Sequence, residues 1–106
     1  MVIQKGTIEN LSDCEEALLN SELGKRYFSK EGSAANAIKD WLEKGNLFVA
    51  MIKDDCVGFV YYIPNGAFHS FPYIHILAVK EAYRGNNIGA KLLEFIEKTA
   101  SIANAL

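Results

Sequence analysis

The spacing of apolar residues changes at Gly45, and this change limits the fold more than any other feature of the chain. Before it, "NLSDCEEALLNSELGKRYF" and "SAANAIKDWLEKG" carry apolar residues three and four positions apart. After it, "NLFVAMIKDDCVGFVYYIPNG" and "SFPYIHILAV" are runs rich in β-branched and aromatic residues. The first spacing builds one buried face on a helix, and the second composition suits strands covered by other layers.

A coarse order of elements follows. "VIQKGTI" reads as a short strand. The next segment reads as a helix with Ser12 or Asp13 as its N-cap and Leu11, Leu18, Leu19 and Leu23 on its apolar stripe. Gly24 is expected to end or loosen that helix, leaving "KRYFSKEGS" as a connection with a turn. A second helix starts at Ser33, buries Ala34, Ile38, Trp41 and Leu42, and stops at Gly45. Two strands, Leu47 to Lys53 and Cys56 to Ile63, flank a tight turn at Asp54-Asp55, and Pro64-Asn65-Gly66 closes the second. "SFPYIHILAV" is a third β run. "NNIGAKLLEFIEKTASIANAL" is a helix with Ile88, Leu92, Leu93, Ile96 and Thr99 or Ala100 inward. This grouping defines an α+β fold, a mixed but mainly antiparallel sheet flanked by helices, in one domain spanning residues 1–106.

Composition excludes several functions. Half of the 106 residues are apolar and the net charge is -2, so the basic face that a nucleic-acid site needs is missing. No run approaches the roughly 18 apolar residues of a membrane span, and "MVIQKGTIENLSD" lacks the core of a signal peptide. A cytoplasmic location is therefore expected, with neither a nucleic-acid nor a membrane partner. Cys14 and Cys56 stand apart with no CxxC spacing, which suits two buried reduced thiols better than a zinc or redox motif. His69, His75 and Glu81 would have to converge from three elements to hold a metal, so none is expected.

Chemistry concentrates in "HILAVKEAYRGNNIGAKLLEF", residues 75–95, where a strand passes through a polar bend into a helix. Unpaired N–H donors and the positive end of the helix dipole converge at such a junction, which favours an anion. Gly85 and Gly89 allow close approach to the backbone, Asn87 tolerates left-handed angles, and Arg84 adds a fixed positive charge.

With its neighbours, "YIHILAVKEAYRGNNIGAKLLEFIEK" resembles the core motif of the GNAT superfamily of acetyl-CoA-dependent N-acyltransferases. In that motif an "hxhLAV" strand, an "xxxYRGxGIG" loop and an amphipathic helix follow one another. The upstream order also resembles that fold, and residues 73–96 are the diagnostic part. The resemblance implies acetyl-CoA as cosubstrate, its pyrophosphate held by the backbone of Arg84, Gly85, Asn86, Asn87, Ile88, Gly89 and Ala90. It also implies that main-chain groups of Leu77 and Val79 bond the pantetheine arm. Asn87 stands where the family usually has glycine.

The activity so implied is direct attack of a primary amine, on a small molecule or a peptide, on the acetyl thioester. By strand alternation, Tyr73, His75, Leu77 and Val79 share one face while Ile74, Ile76 and Ala78 share the other. His75 suits the general base, and the spacing is similar to the "HxHxLAV" of arylalkylamine acetyltransferases with Tyr73 replacing the first histidine. A packed, hydrogen-bonded histidine is the competing reading of His75. The resemblance places "SELGKRYF" beside the acceptor groove, where Glu22, Tyr27 and Phe28 are candidates against a plain solvated connection. Tyr61 and Tyr62 are core aromatics or pocket wall, and His69 is a candidate for the substrate entrance.

The family pattern continues with a strand, a helix and a final strand that this sequence does not contain. The resemblance therefore implies a C-terminally incomplete domain, truncated after the motif helix. Its third β run would expose an unpaired edge that a second copy could cover as a homodimer. The alternative to an active transferase is a catalytically inactive CoA-binding or structural fragment that dimerises through that edge.

Overall fold

The computed structural model describes residues 1–63 and 73–105, except for the side chains of Tyr73 and residues 100–105. Four strands, β1 (Val2–Lys5), β2 (Leu47–Ile52), β3 (Asp55–Ile63) and β4 (Tyr73–Val79), form one sheet in sequence order, and every neighbouring pair is antiparallel. Helices α1 (Leu11–Leu19), α2 (Glu22–Tyr27) and α3 (Ser33–Lys44) precede β2, and α4 (Ile88–Ala105) follows β4. The expected α+β class and element order hold, with the first expected helix divided in two.

Ser21 divides it. Its hydroxyl donates to the Leu18 carbonyl at 2.6 Å and accepts from the Gly24 N–H at 2.9 Å, so one side chain closes α1 and caps α2. Gly24 therefore lies inside a helix rather than at its end. A Cβ there would stand 1.6 Å from the Leu18 carbonyl oxygen, so only glycine lets α2 fold back this closely. The expected leucine stripe also changes. Cys14, Ala17 and Leu18 are buried, whereas Leu19 and Leu23 are 41% and 45% exposed because the bend turns them away from the sheet. The N-cap of α1 is Asn10 rather than Ser12 or Asp13. Asn10 ends a short 3-10 turn, and its Oδ1 accepts from the Thr7 N–H at 2.9 Å.

Helix α3 runs from Ser33 to Lys44 and stops at Gly45, whose φ of 84° is the left-handed cap expected there. In the β2–β3 hairpin, Asp55 pairs with Ile52, so the turn is Lys53-Asp54, with Lys53 at φ 56°. On α4, Ile88, Leu92 and Ile96 recur every four residues and are buried, while Leu93 falls outside this stripe and is 40% exposed.

The sheet has a core on each face. Cys14, Leu18, Ile38 and Trp41 pack on Val49, Phe59, Tyr61, Ile76 and Ala78; Ile88, Leu92 and Ile96 pack on Ala50, Val57, Val60 and Tyr62. Separate layers of α1–α3 and α4 thus cover the two faces.

Candidate active site

Strand β4 carries the expected site residues, and an irregularity in it decides where they point. Tyr61 pairs with Ile76 and Tyr62 with Ile74, so β4 has one extra residue, His75, opposite that step. This bulge overturns the alternation expected for His75. Leu77, Val79 and Ile74 pack with the α4 layer, whereas Ile76 and Ala78 join the α1–α3 layer. The His75 ring stands 5.7 Å from both Trp41 and Tyr61, on the α1–α3 side and not on the Leu77 face.

Trp41 sets this ring's surroundings. It stacks on Tyr61 at 5.2 Å and 11°, and Phe28 meets its edge at 6.1 Å. Tyr61, expected as core or pocket wall, is buried beneath His75. Leu23, Tyr27, Phe28, His75 and Ile76 line a cavity of ≈ 250 Å³. The structure therefore joins the expected acceptor candidates Tyr27 and Phe28 to His75. Leu23, Ile76 and the supporting Trp41 were not singled out as site residues, because their spacing marked only helix and strand cores. His69 lies outside the described residues, as does the side chain of Tyr73.

The other end of β4 leads to the glycine-bearing loop. The Lys80 N–H donates to the Val57 carbonyl at 2.8 Å, which directs its main chain toward β3. Alternation then directs the N–H and C=O groups of Val79 and Leu77 toward the opposite edge, which no strand pairs among the described residues. Arg84 uses that geometry: its Nε donates to the Val79 carbonyl at 3.3 Å and its Nη2 to the Asn20 carbonyl at 2.7 Å. The guanidinium thereby satisfies a carbonyl at the end of α1 and places positive charge at the negative end of that helix.

Asn87 takes the left-handed conformation expected of it, with φ 60°, and its carbonyl accepts the first α4 bond from Lys91 at 3.0 Å. The N–H groups of Ile88, Gly89 and Ala90 therefore have no acceptor within the helix. Val79, Tyr83, Arg84, Gly85, Asn87, Ile88, Gly89 and Ala90 line a ≈ 280 Å³ cradle there. Asn86 is not among them, and its Nδ2 donates to the Tyr83 carbonyl at 3.1 Å. Leu77 also lies outside the lining, with its side chain in the α4 core. Tyr83 is an added member, and its hydroxyl donates to Asp55 Oδ2 at 3.3 Å.

Lys80 holds the junction from beneath. Its ammonium lies 2.6 Å from Asp13 and 3.8 Å from Glu16, with only 14% of the side chain exposed. Burial acts to lower its pKa, but the hydrogen bond and charge of Asp13, aided by Glu16, raise it above the ordinary lysine value. Cys14 and Cys56, apart in sequence, meet in the core as free thiols, and Cys56 together with burial pushes the Cys14 thiol above its ordinary value. A buried thiol held protonated is a poor nucleophile. No group of three His, Cys, Asp or Glu is placed to hold a metal among the described residues.

Among the described residues the chain is an antiparallel α+β sheet whose edge strand β4 leads through a short loop into the glycine-bearing entrance of α4, and this architecture defines its class of domain. Comparison makes it specific: the acetyltransferase (GNAT) family model matches residues 14–104, and the chain belongs to that family. Comparison with curated proteins yields no match. Among solved structures, a GNAT-family acetyltransferase from Bacillus cereus is similar with a TM-score of 0.71 and 17% identity, over 90% of this chain and 61% of that one. An aminoglycoside 6'-N-acetyltransferase complexed with coenzyme A gives 0.75 and 23%, over 95% of this chain and 56% of that one. An aminoglycoside 6'-acetyltransferase type Ii gives 0.69 and 25%, over 95% and 64%. The chain thus spans about 56 to 64% of the length of these three relatives.

Proposed function

We propose that this domain binds acetyl-CoA along the open edge of β4 and transfers the acetyl group to a primary amine. The observation that carries this reading is the placement of the two cavities at opposite ends of one strand, the cradle beside Val79 and the acceptor cavity beside His75. Four residues of strand, about 13 Å, separate those positions. An extended pantetheine arm suits that path, with the outward N–H groups of Val79 and Leu77 beside it.

The cradle fits a pyrophosphate. A Cβ at Gly85 would meet nothing within 4 Å, and one at Gly89 would meet only Leu77 Cδ2, at 3.4 Å. Anionic oxygens can therefore approach the N–H groups of Ile88, Gly89 and Ala90 without meeting side chains. Arg84 shapes this loop through its bonds to Val79 and Asn20. The open space at Gly85 and left-handed Asn87 support the family assignment of Arg84 through Ala90 to the cosubstrate, with Asn86 contributing only main chain.

In the proposed reaction an alkylammonium first gives one proton to His75, directly or through water. The neutral nitrogen then attacks the thioester carbon, forming a C–N bond as the C–S bond breaks. The products are the N-acetyl amide and CoA thiol, which receives the second amine proton. An N–H on the β4 edge stabilises the oxygen that becomes negative during attack. This is direct transfer with no acyl-enzyme, in keeping with the buried state of both cysteines.

The free thiols and acyl-CoA chemistry support a cytoplasmic location. The unpaired outer edge of β4 among the described residues also supports pairing with a second copy. Such pairing would occupy the groups the cosubstrate needs, so acetyl-CoA should shift a dimer toward monomer.

Calorimetric titration with acetyl-CoA, with sedimentation on the same sample and thiol release on adding amines, tests the proposal. Saturable binding followed by amine-dependent thiol release is expected. Binding with no release for any amine would leave a CoA-binding module, and absence of binding by folded protein would overturn the site.

A further inference from the structure

The core holds a pair of thiols that the proposed transfer does not use. Cys14 lies near the start of α1, Cys56 is the second residue of β3, and their side chains interact directly. Both are free and buried within one cluster between α1 and the sheet. Far apart in sequence and outside any CxxC spacing, they are paired only by the fold.

Their surroundings make the two sulfurs unequal. Hydrogen bonding to Cys14 holds the Cys56 thiol below its ordinary value, against burial and the charge of Asp13, and the Gly58 main chain and the Lys80 ammonium assist. Cys14 is pushed the other way, by Cys56 first and by burial second. Cys56 is therefore the sulfur that forms a thiolate, and Cys14 remains a thiol beside it. Asp13 and Lys80, whose charges act on both sulfurs, have side chains 40% and 14% exposed, so the pair lies one side-chain layer below solvent. A water-sized oxidant reaches that depth on local opening of the ion pair, whereas a bulky reagent does not.

We propose that Cys14 and Cys56 form a reversible redox site, in which hydrogen peroxide joins the two sulfurs in a disulfide that fastens α1 to β3. The Cys56 thiolate attacks one peroxide oxygen as the O–O bond breaks, giving a sulfenic acid and, with the proton that Cys56 released, one water. The Cys14 sulfur then attacks the sulfenic sulfur, forming the S–S bond as the S–O bond breaks, and its proton leaves with the hydroxyl as a second water. Each sulfur gives up one electron, and the peroxide takes both. A small dithiol reverses the change. Helix α1 carries Asp13, the partner of Lys80, and leads to the Asn20 carbonyl that Arg84 holds, so the cross-link fixes the segment that anchors two residues of the loop after β4.

The test treats the native protein with hydrogen peroxide, unfolds it in excess alkylating agent and reads intact mass and peptide map. The expected product is a single chain lighter by two hydrogens, unalkylated, with Cys14 joined to Cys56, and dithiothreitol should restore two alkylatable thiols. Its Tm should exceed that of the reduced protein by at least about 5 °C. Cys14→Ser should stop at a Cys56 sulfenic acid that dimedone captures, and Cys56→Ser should leave Cys14 oxidised at least about tenfold more slowly. Two thiols still alkylatable after peroxide, a disulfide between chains, a sulfinic acid without a cross-link, or an unchanged Tm would overturn the proposal. The map and Tm of the unaltered chain decide the matter even where a serine variant does not fold.

Discussion

The Arg84 guanidinium donates to the Asn20 carbonyl across 2.7 Å, joining the loop before α4 to the end of α1, 64 residues earlier in the chain. The same side chain holds the Val79 carbonyl, so one residue ties the cradle to β4 and to the α1–α2 bend, next to which Leu23 lines the cavity beside His75. Arg84→Ala should weaken acetyl-CoA binding about tenfold, the scale of one lost charge-assisted hydrogen bond. Arg84→Lys should recover only part of the loss, because an ammonium lacks the planar fork that reaches both carbonyls. Calorimetry on the three proteins checks this, and full recovery by lysine would show that charge alone matters.

His75 is set apart from the cradle by four residues of β4, so its loss should separate chemistry from cosubstrate binding. His75→Ala should lower the turnover number about 100-fold, the scale of a lost general base. The Kd for acetyl-CoA should stay within about twofold of the parent. Steady-state kinetics beside calorimetry reads both quantities. An unchanged turnover number would remove His75 from the chemistry.

Gly24 allows the α1–α2 bend, and its replacement should act on stability alone. A Cβ at 1.6 Å from the Leu18 carbonyl oxygen must displace backbone, so Gly24→Ala should cost about 2 kcal/mol despite alanine's better helix propensity. Denaturant unfolding measures this directly. A stabilised variant would mean that the two helices can move apart without penalty.

The Lys80–Asp13 pair predicts a dependence on alkaline pH. Because the pKa of Lys80 is raised in the folded protein, its contribution is present below the ordinary lysine value of 10.5 and is lost as pH rises through the higher folded value. Lys80→Met should be less stable than the parent by about 1 kcal/mol at pH 7, since Asp13 is partly exposed and the pair is screened. That difference should hold to about pH 10 and shrink above it. A difference that stays constant from pH 7 to 12 in unfolding experiments would contradict the assignment.

Much of the fold was legible because short-range rules govern it. Helix α3 begins at Ser33 and ends before Gly45 because its apolar spacing and left-handed glycine cap are both local. Asn87 takes a positive φ for the same kind of reason: few residues other than glycine tolerate that angle, and the loop requires it at the entrance to α4. The element order and the strand–loop–helix signature were readable from spacing and motif.

Other features depend on contacts between distant segments. A continuous helix from Leu11 to Leu23 satisfies leucine spacing, but the Ser21 cap and the approach of Gly24 to Leu18 divide it. Leu93 matches a helical stripe, yet among the described side chains of α4 the buried face belongs to Ile88, Leu92 and Ile96, and Leu93 falls outside it. Strict alternation put His75 with Leu77, and an extra residue opposite the Tyr61–Tyr62 step turned it instead to Trp41.

By itself the sequence determined the α+β class, the antiparallel meander and the glycine-bearing entrance to α4, since these follow from residue spacing, turn chemistry and backbone freedom. Only the tertiary structure decided that His75 faces the Leu23–Tyr27–Phe28 cavity and that Arg84 clasps α1. A bulge's facing and a side chain's partner across 64 residues depend on how packed layers meet, and no local pattern encodes that meeting.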